Sequence, residues 1–354
     1  MDLDKIILIS FPFIILINFI LIKNYNFFFL KKTLDQEFSK PQAFHIKPTP
    51  RIGGFLLYIF FILYSIIFFE KNYFFNKIFF LGSFCFLLGF LGDLNINIKP
   101  ALRLFLMFIS SFFLIYFLDI KIFDLQLFFL NNLINSNKII SALFVCLCLI
   151  FVINGCNFID GFNGLLIIHS IIILSILYFI NFQNINAVYL KYFILFFIVL
   201  CFSVLFYNFP KAKIFLGDGG AYFLGGAISL IVIETSNLNG NISPFFFASI
   251  LFYVFFEVFF SFFRKIIFYR SSPLKPDKRH LHMILFSFIF AKNKNLFKSN
   301  YWTSIVINIF YFFLILPSLF YYKDKVFCEI YFLLLIIIYL LFYLFLSEKK
   351  LSNN

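Results

Sequence analysis

Asp218 stands alone in the run FLGDGG at 215–220, flanked by glycines and set between long apolar stretches. A carboxylate at the mouth of a membrane helix is costly to keep and marks a functional site by default. Glycines on either side permit a sharp turn and let a ligand come close to the backbone. The run therefore reads as a tight turn whose Asp218 binds a divalent metal carrying a phosphate. The competing reading makes Asp218 a cap on the helix that follows, where an acid is also welcome.

Four more polar stretches interrupt the apolar chain. In NGCNFIDGFNGL at 154–165, Asn154, Asn157, Asp160 and Asn163 share one face if the segment is helical. Its glycines argue instead for a broken helix, which membrane proteins tolerate where backbone lines a cavity; a polar helix–helix seam is the structural alternative. Gly92-Asp93, with Asn95, Asn97, Lys99 and Arg103 beyond, offers a general base or a metal ligand, or merely a helix-end charge paired to Lys99. In KPTPRIGG at 47–54, Lys47 and Arg51 can meet phosphate oxygens, or can simply be a basic loop that fixes topology. In SPLKPDKRHLH at 272–282, extended chain turns His280 and His282 the same way. With Lys278 and Arg279 they suit an anionic diphosphate, whereas zinc lacks a third and fourth ligand; the alternative is a solvated basic loop. His45 is a weaker interfacial candidate, and His169 reads as a satisfied core histidine. Glu234 and Glu257 read as structural or cavity-facing acids.

The elements that position these residues are set by composition. The 354 residues are 63% hydrophobic and only 13% charged, with 65 Phe, and the mean hydropathy is +0.99. A soluble fold of this size cannot hide so much apolar surface, so the chain is expected to be an all-α, polytopic membrane bundle. Eleven spans are predicted, at about 5–23, 53–69, 76–91, 101–118, 139–154, 164–182, 188–207, 220–234, 244–263, 302–321 and 328–346. The third, fifth and eighth look short or interrupted. The first lacks a basic leader and a small-residue cleavage site and reads as a retained helix. With no repeat and no flexible linker, residues 1–354 read as one integral membrane domain, with a cytoplasmic loop at 264–301. Most of the 29 Lys and Arg fall on one side if the N-terminus is outside and the C-terminus cytoplasmic. That orientation gathers all five polar stretches on the cytoplasmic face, as one active site would require. The net charge of +13 is thereby explained by topology, not by nucleic-acid binding. The six cysteines lie in or beside apolar runs and read as small buried hydrophobes, not as disulfides or zinc ligands.

In order and spacing, PTPRIGG at 48–54, Gly92-Asp93 with Arg103, NGCNFIDGFNGL at 154–165, FLGDGG at 215–220 and PDKRHLH at 276–282 resemble a known family. This is the polyprenyl-phosphate N-acetylhexosamine-1-phosphate transferase family, which includes undecaprenyl-phosphate N-acetylglucosamine-1-phosphate transferases and the phospho-N-acetylmuramoyl-pentapeptide transferase. The resemblance implies a multi-pass enzyme of the inner membrane with a cytoplasmic site. It would move a sugar-1-phosphate from a UDP-N-acetylhexosamine to polyprenyl (undecaprenyl) phosphate, releasing UMP, with Mg²⁺ or Mn²⁺. By the same resemblance Asp218 is the magnesium aspartate, and Asn157 and Asp160 lie on the nucleotide and metal side. Asn154 and Asn163 belong to the same substrate-binding run, and Asp93 is one of an aspartate pair. His280, His282 and Arg279 stand near the diphosphate, Lys47 and Arg51 steady charge, and a homodimer in the lipid is expected. The sequence departs in three places: Gly92 replaces the first acid of the pair, Asn163 a second aspartate, and Met283 a third histidine. These departures point away from the peptidoglycan enzyme and toward an O-antigen, lipopolysaccharide or capsule transferase.

On this reading Asp93 deprotonates or orients the lipid phosphate for in-line attack. A secondary transporter is the alternative, since broken helices and membrane carboxylates occur there too. It would show substrate flux in liposomes without UMP release.

Overall fold

In hydrocarbon each backbone amide must find its partner within its own segment, so apolar runs fold as helices. The computed structural model follows that rule. It describes residues 3–25, 29–36, 47–68, 73–96, 98–182, 184–273 and 277–352. His45, Asn97 and Pro276, all named above, lie outside the described residues. The helices are α1 (Leu3–Lys23), α2 (Gly53–Phe68), α3 (Tyr73–Asp93), α4 (Pro100–Phe117), α5 (Phe128–Ser136), α6 (Lys138–Ile159) and α7 (Leu165–Phe182). They continue as α8 (Val188–Asn208), α9 (Gly217–Leu238), α10 (Pro244–Ile250), α11 (Phe252–Ile267), α12 (Leu281–Asn293), α13 (Leu296–Phe320) and α14 (Lys325–Ser352). A two-residue antiparallel pairing of Leu34–Asp35 (β1) with Thr49–Pro50 (β2) lies beside the start of α2.

Among the described residues nine helices are long and apolar enough to cross a membrane. A tenth span is formed if α10 and α11, bent by 75° at their junction, count as one. The expected second span is α2, which at 16 residues is shorter than these. The spans expected to be short are not. α3 has 21 residues, and α6 and α9 have 22 each. Each is extended through a polar, glycine-bearing stretch that an apolar count leaves out: Gly92-Asp93 in α3, Gly155 to Asn157 in α6 and Gly217 to Gly219 in α9. The stretch 264–301 is also mostly helix: it holds the end of α11, all of α12 and the start of α13. Leu281 to Phe286 of α12 are all buried.

α9 is the hub. Of its most apolar stretch 72% is buried, against 17% for α1 and α4 and 22% for α14. It packs against α2, α3, α6 and α7. The packing is close where glycine leaves room: a Cβ on Gly54 would run into the backbone of Gly220, and one on Gly155 would run into the carbonyl of Val254 in α11. Small residues drive such approach in lipid, where apolar burial supplies little. The six cysteines are free, and all but Cys148 are buried. His169 is buried; its Nδ1 lies 3.3 Å from Asn308 Oδ1, and its Nε2 has no partner among the described residues.

Candidate active site

α9 begins at Gly217 because φ there is +79°, a conformation that glycine adopts at little cost. The expected tight turn is thus the first turn of a helix, and Asp218 sits inside it. Leu216, the residue before the helix, supplies no side-chain cap. The cap comes from α3: Asp93 accepts the Asp218 N–H at 2.9 Å on Oδ1 and the Gly219 N–H at 2.8 Å on Oδ2. Asp93 is 1% exposed, so its charge meets the positive end of α9 out of water. Lys99, the partner proposed for it above, is not among its hydrogen bonds.

The Asp218 side chain turns to α4, where Arg103 Nη1 meets its Oδ2 at 2.5 Å. The Arg103 guanidinium also lies over the Tyr222 ring, 5.4 Å from its centre. Tyr222 in turn accepts from Asn157 Nδ2 at 3.4 Å, which ties α6 into the cluster. A Cβ on Gly92 would lie 3.3 Å from both Arg103 Nη1 and Asp218 Oδ2. The replaced acid position therefore opens onto this ion pair.

α6 runs unbroken through Asn154, Gly155 and Asn157 and stops only at Ile159, with Asp160 as its C-cap. The expected break in the run 154–165 falls between Ile159 and Leu165, around Gly161 and Gly164. Burial, followed by the charges of Asp218 and Asp93, raises the Asp160 carboxyl well above the usual carboxylate range. Asn154 donates to its own helix at Ile150 O, 2.8 Å away, and to Met107 Sδ at 3.7 Å. Asn163 binds Pro210 O through its side chain and Asn300 Oδ1 through its N–H, both at 2.9 Å. These two asparagines thus serve the scaffold, while Asn157 and Asp160 reach the acid cluster.

The basic loop at 47–54 joins the same place by backbone. Gly53 N–H donates to Phe215 O at 2.9 Å, Gly54 N–H to Leu216 O at 2.7 Å, and Phe215 N–H to Pro50 O at 2.9 Å. Arg51 is already paired, its Nη2 lying 2.6 Å from Asp35 Oδ2. Burial opposes its charge, but Asp35 outweighs that and raises its pKa. Lys47 is exposed at the rim.

The histidines form a second, buried cluster. His280 precedes α12 in extended conformation and His282 lies in its first turn, yet their rings stack at 5.5 Å and 8°. Phe158 and Phe162, from the asparagine-rich segment, pack edge-on against His280 at 5.1 Å and His282 at 5.8 Å. Glu257 of α11 lies beneath, 3.0 Å from His280 Nδ1. Arg264 pairs with Asp277 at 3.0 Å, and Lys265 donates to Pro273 O at 3.1 Å, tying the loop to α11. Arg279 lies over the Tyr269 ring at 4.0 Å. His282 is 0% exposed and its Nε2 has no partner among the described residues; burial pushes it down to about 4.

The five polar stretches therefore converge through named contacts. Sequence reasoning passed over Tyr222, Asp35, Tyr253 and Tyr339, and left Glu257 and Arg103 without roles. A lone acid in an apolar span was the only signal for Glu257. Among the described residues no group of three or more His, Cys, Asp or Glu converges as a ready metal cluster. The donors at hand, Asp218, Asp160 and the Asn157 amide, are hard oxygens. They suit Mg²⁺, which takes one or two carboxylates and fills the rest with water and phosphate oxygens.

Residues 75–236, which carry Asp93, Arg103, Asp160, Asp218 and Tyr222, match the glycosyl transferase family 4 profile. The chain is 32% identical over 153 residues to a phospho-N-acetylmuramoyl-pentapeptide-transferase of Dictyoglomus turgidum, covering 42% of this chain and 48% of that protein. It is 34% identical over 140 residues to a protein of Bacillus subtilis named "Probable undecaprenyl-phosphate N-acetylglucosaminyl 1-phosphate transferase", covering 38% and 37%. It is 31% identical over 88 residues to an undecaprenyl-phosphate alpha-N-acetylglucosaminyl 1-phosphate transferase of Thermotoga maritima, covering 24% and 28%. The similarity thus spans less than half the length of each of these relatives, and their names divide between two activities. The shared region holds the acid cluster and the helices that build it, and over those residues the chain is similar to glycosyl transferase family 4.

Proposed function

We propose that this chain transfers an N-acetylhexosamine-1-phosphate from a UDP-sugar to polyprenyl phosphate, releasing UMP at the cytoplasmic face of the inner membrane. The observation that carries this reading is the cluster of Asp93, Asp218 and Arg103, to which the 47–54 loop is joined by backbone hydrogen bonds and α6 through Asn157 and Tyr222. Phosphoryl transfer asks a protein mainly for positioning and charge neutralisation. Asp218, with Asp160 and Asn157 nearby, would hold Mg²⁺, whose chemistry when bound would be charge neutralisation of the diphosphate.

The chain's own residues do the rest. Asp93 fixes the backbone of Asp218 and so aims its carboxylate. With both oxygens on backbone N–H groups, Asp93 is better placed to hold α9 than to take a proton. The attacking lipid phosphate needs little deprotonation in any case, because its second pKa lies near about 6. Arg103 neutralises Asp218 until anionic substrate arrives, then can turn to a phosphate oxygen. Lys47 offers positive charge at the rim. The departures at Gly92, Asn163 and Met283 favour a surface-polysaccharide pathway over the peptidoglycan one.

The test is UMP release by purified protein with undecaprenyl phosphate, Mg²⁺ and a panel of UDP-N-acetylhexosamines. Metal-dependent release that Asp218→Ala abolishes supports the reading and names the sugar. Folded wild-type protein that releases no UMP from any donor sinks it.

A further inference from the structure

Glu257 lies in an apolar helix beyond the region shared with the family, and it is 1% exposed. A buried acid is retained only where hydrogen bonds and charge compensate its lost hydration. Its partners account for that. Oε2 lies 3.0 Å from His280 Nδ1. Oε1 accepts the Leu281 N–H at 3.0 Å and the Tyr339 hydroxyl at 3.0 Å. The same oxygen is 3.9 Å from His282 Nδ1, which also lies 3.3 Å from the Tyr253 hydroxyl. One carboxylate thus holds the first ring, caps the helix that carries the second, and is itself held by α14.

The tautomer follows from donor chemistry. A carboxylate only accepts, so His280 Nδ1 must carry the proton. That leaves Nε2 on the side of Asp277, whose Oδ1 is 3.8 Å away. The ring is thereby fixed in rotation and in protonation pattern, while its stacked neighbour keeps an unpartnered Nε2. Phe158 and Phe162 place both rings against the segment that bears Asn157 and Asp160.

We propose that Glu257 is the positioning residue of the histidine pair: from α11 it sets the orientation of His280 and anchors the start of α12, so that both rings face the acid-bearing segment. Its consequence for catalysis rests on the transferase reading; its structural content does not. The experiment keeps the two apart. Full-length protein in lipid nanodiscs is prepared as wild type, Glu257→Gln, Glu257→Asp and Glu234→Gln. With four histidines in the chain, imidazole ¹⁵N resonances are few enough to assign.

In Glu257→Gln the amide carbonyl can still accept from Leu281 and Tyr339, so the fold persists. Its NH₂ then faces His280 Nδ1 and drives the proton to Nε2. The His280 Nδ1 signal should move from the protonated to the unprotonated range, with His169 unchanged. Glu234→Gln, in a side chain bonded to Tyr189, should move neither. In the UMP assay Glu257→Gln should lower kcat by about tenfold to a hundredfold, with a much smaller change in KM for the donor. Glu257→Asp should recover part of the loss. An unmoved His280 signal in Glu257→Gln overturns the proposal, as does undiminished kcat beside an active wild type. An inactive wild type rejects the transferase reading instead, and the ¹⁵N signals then decide Glu257 alone.

Discussion

At the residue scale, Asp93 and Glu257 repeat one device: each buried carboxylate caps a helix other than its own and carries a functional side chain into place. For Asp93 the device is testable against a proton-transfer role. Asp93→Asn puts an amide NH₂ where an acceptor faced a backbone N–H, and an unmet buried donor costs about 1–3 kcal/mol. The melting temperature should therefore fall along with UMP release; a purely chemical role would leave it unchanged. Gly92→Asp adds a carboxylate beside Arg103 and Asp218. It competes for the guanidinium and adds a hard oxygen, so the Mg²⁺ concentration for half-maximal activity should fall severalfold. His282 gives a pH signature. Its folded value is about 4, against about 6.5 in the unfolded chain. Between those values the unfolded chain binds a proton that the folded one excludes, so stability declines as pH falls through that window. Thermal melts of His282→Asn should decline less over the same range. Among these residues, Asp218, Asp160 and Asn157 could be singled out in the sequence as polar interruptions of apolar runs. The Arg51–Asp35 pair and the hold of Glu257 on His280 were not, because each joins groups whose distance is set only when the helices pack.

At the element scale, the helical runs were legible because hydrocarbon leaves the backbone no alternative. Their polar ends were not. The run 154–165 suggested a broken helix, and the chain does leave the helix between Ile159 and Leu165, but Asn154 to Asn157 stay helical; 217–220 suggested a turn and opens α9 instead. Asp93 supplies what α9 lacked, and packing against α11 requires the glycine in α6. Gly155→Ala should force α6 and α11 apart and destabilise the protein by about 1–3 kcal/mol, seen as a lower melting temperature in detergent. Gly161, with nothing within 4 Å of its would-be Cβ, is the matched control: Gly161→Ala should cost far less. The bend between α10 and α11 was hidden as well, because composition is continuous across Leu251.

At the scale of the whole molecule, the charge asymmetry predicts that the convergent end faces the cytoplasm. Reporter fusions should report a cytoplasmic C-terminus, and an added cysteine at Lys47 should react with membrane-impermeant reagents only after the inner face is opened. The convergence itself could be foreseen from topology, since five stretches on one side can meet. Which of them would touch could not. One contact reaches further than its chemistry. Glu257 is held by Tyr339, which lies in α14, far along the chain from α3, α4 and α9. Chains are made from the N-terminus, so the acid cluster on α3, α4 and α9 is complete well before α14 leaves the ribosome. During that interval the histidine anchor lacks one of its three donors. The chain's birth order therefore separates the assembly of the acid cluster from that of the histidine anchor, which α14 completes.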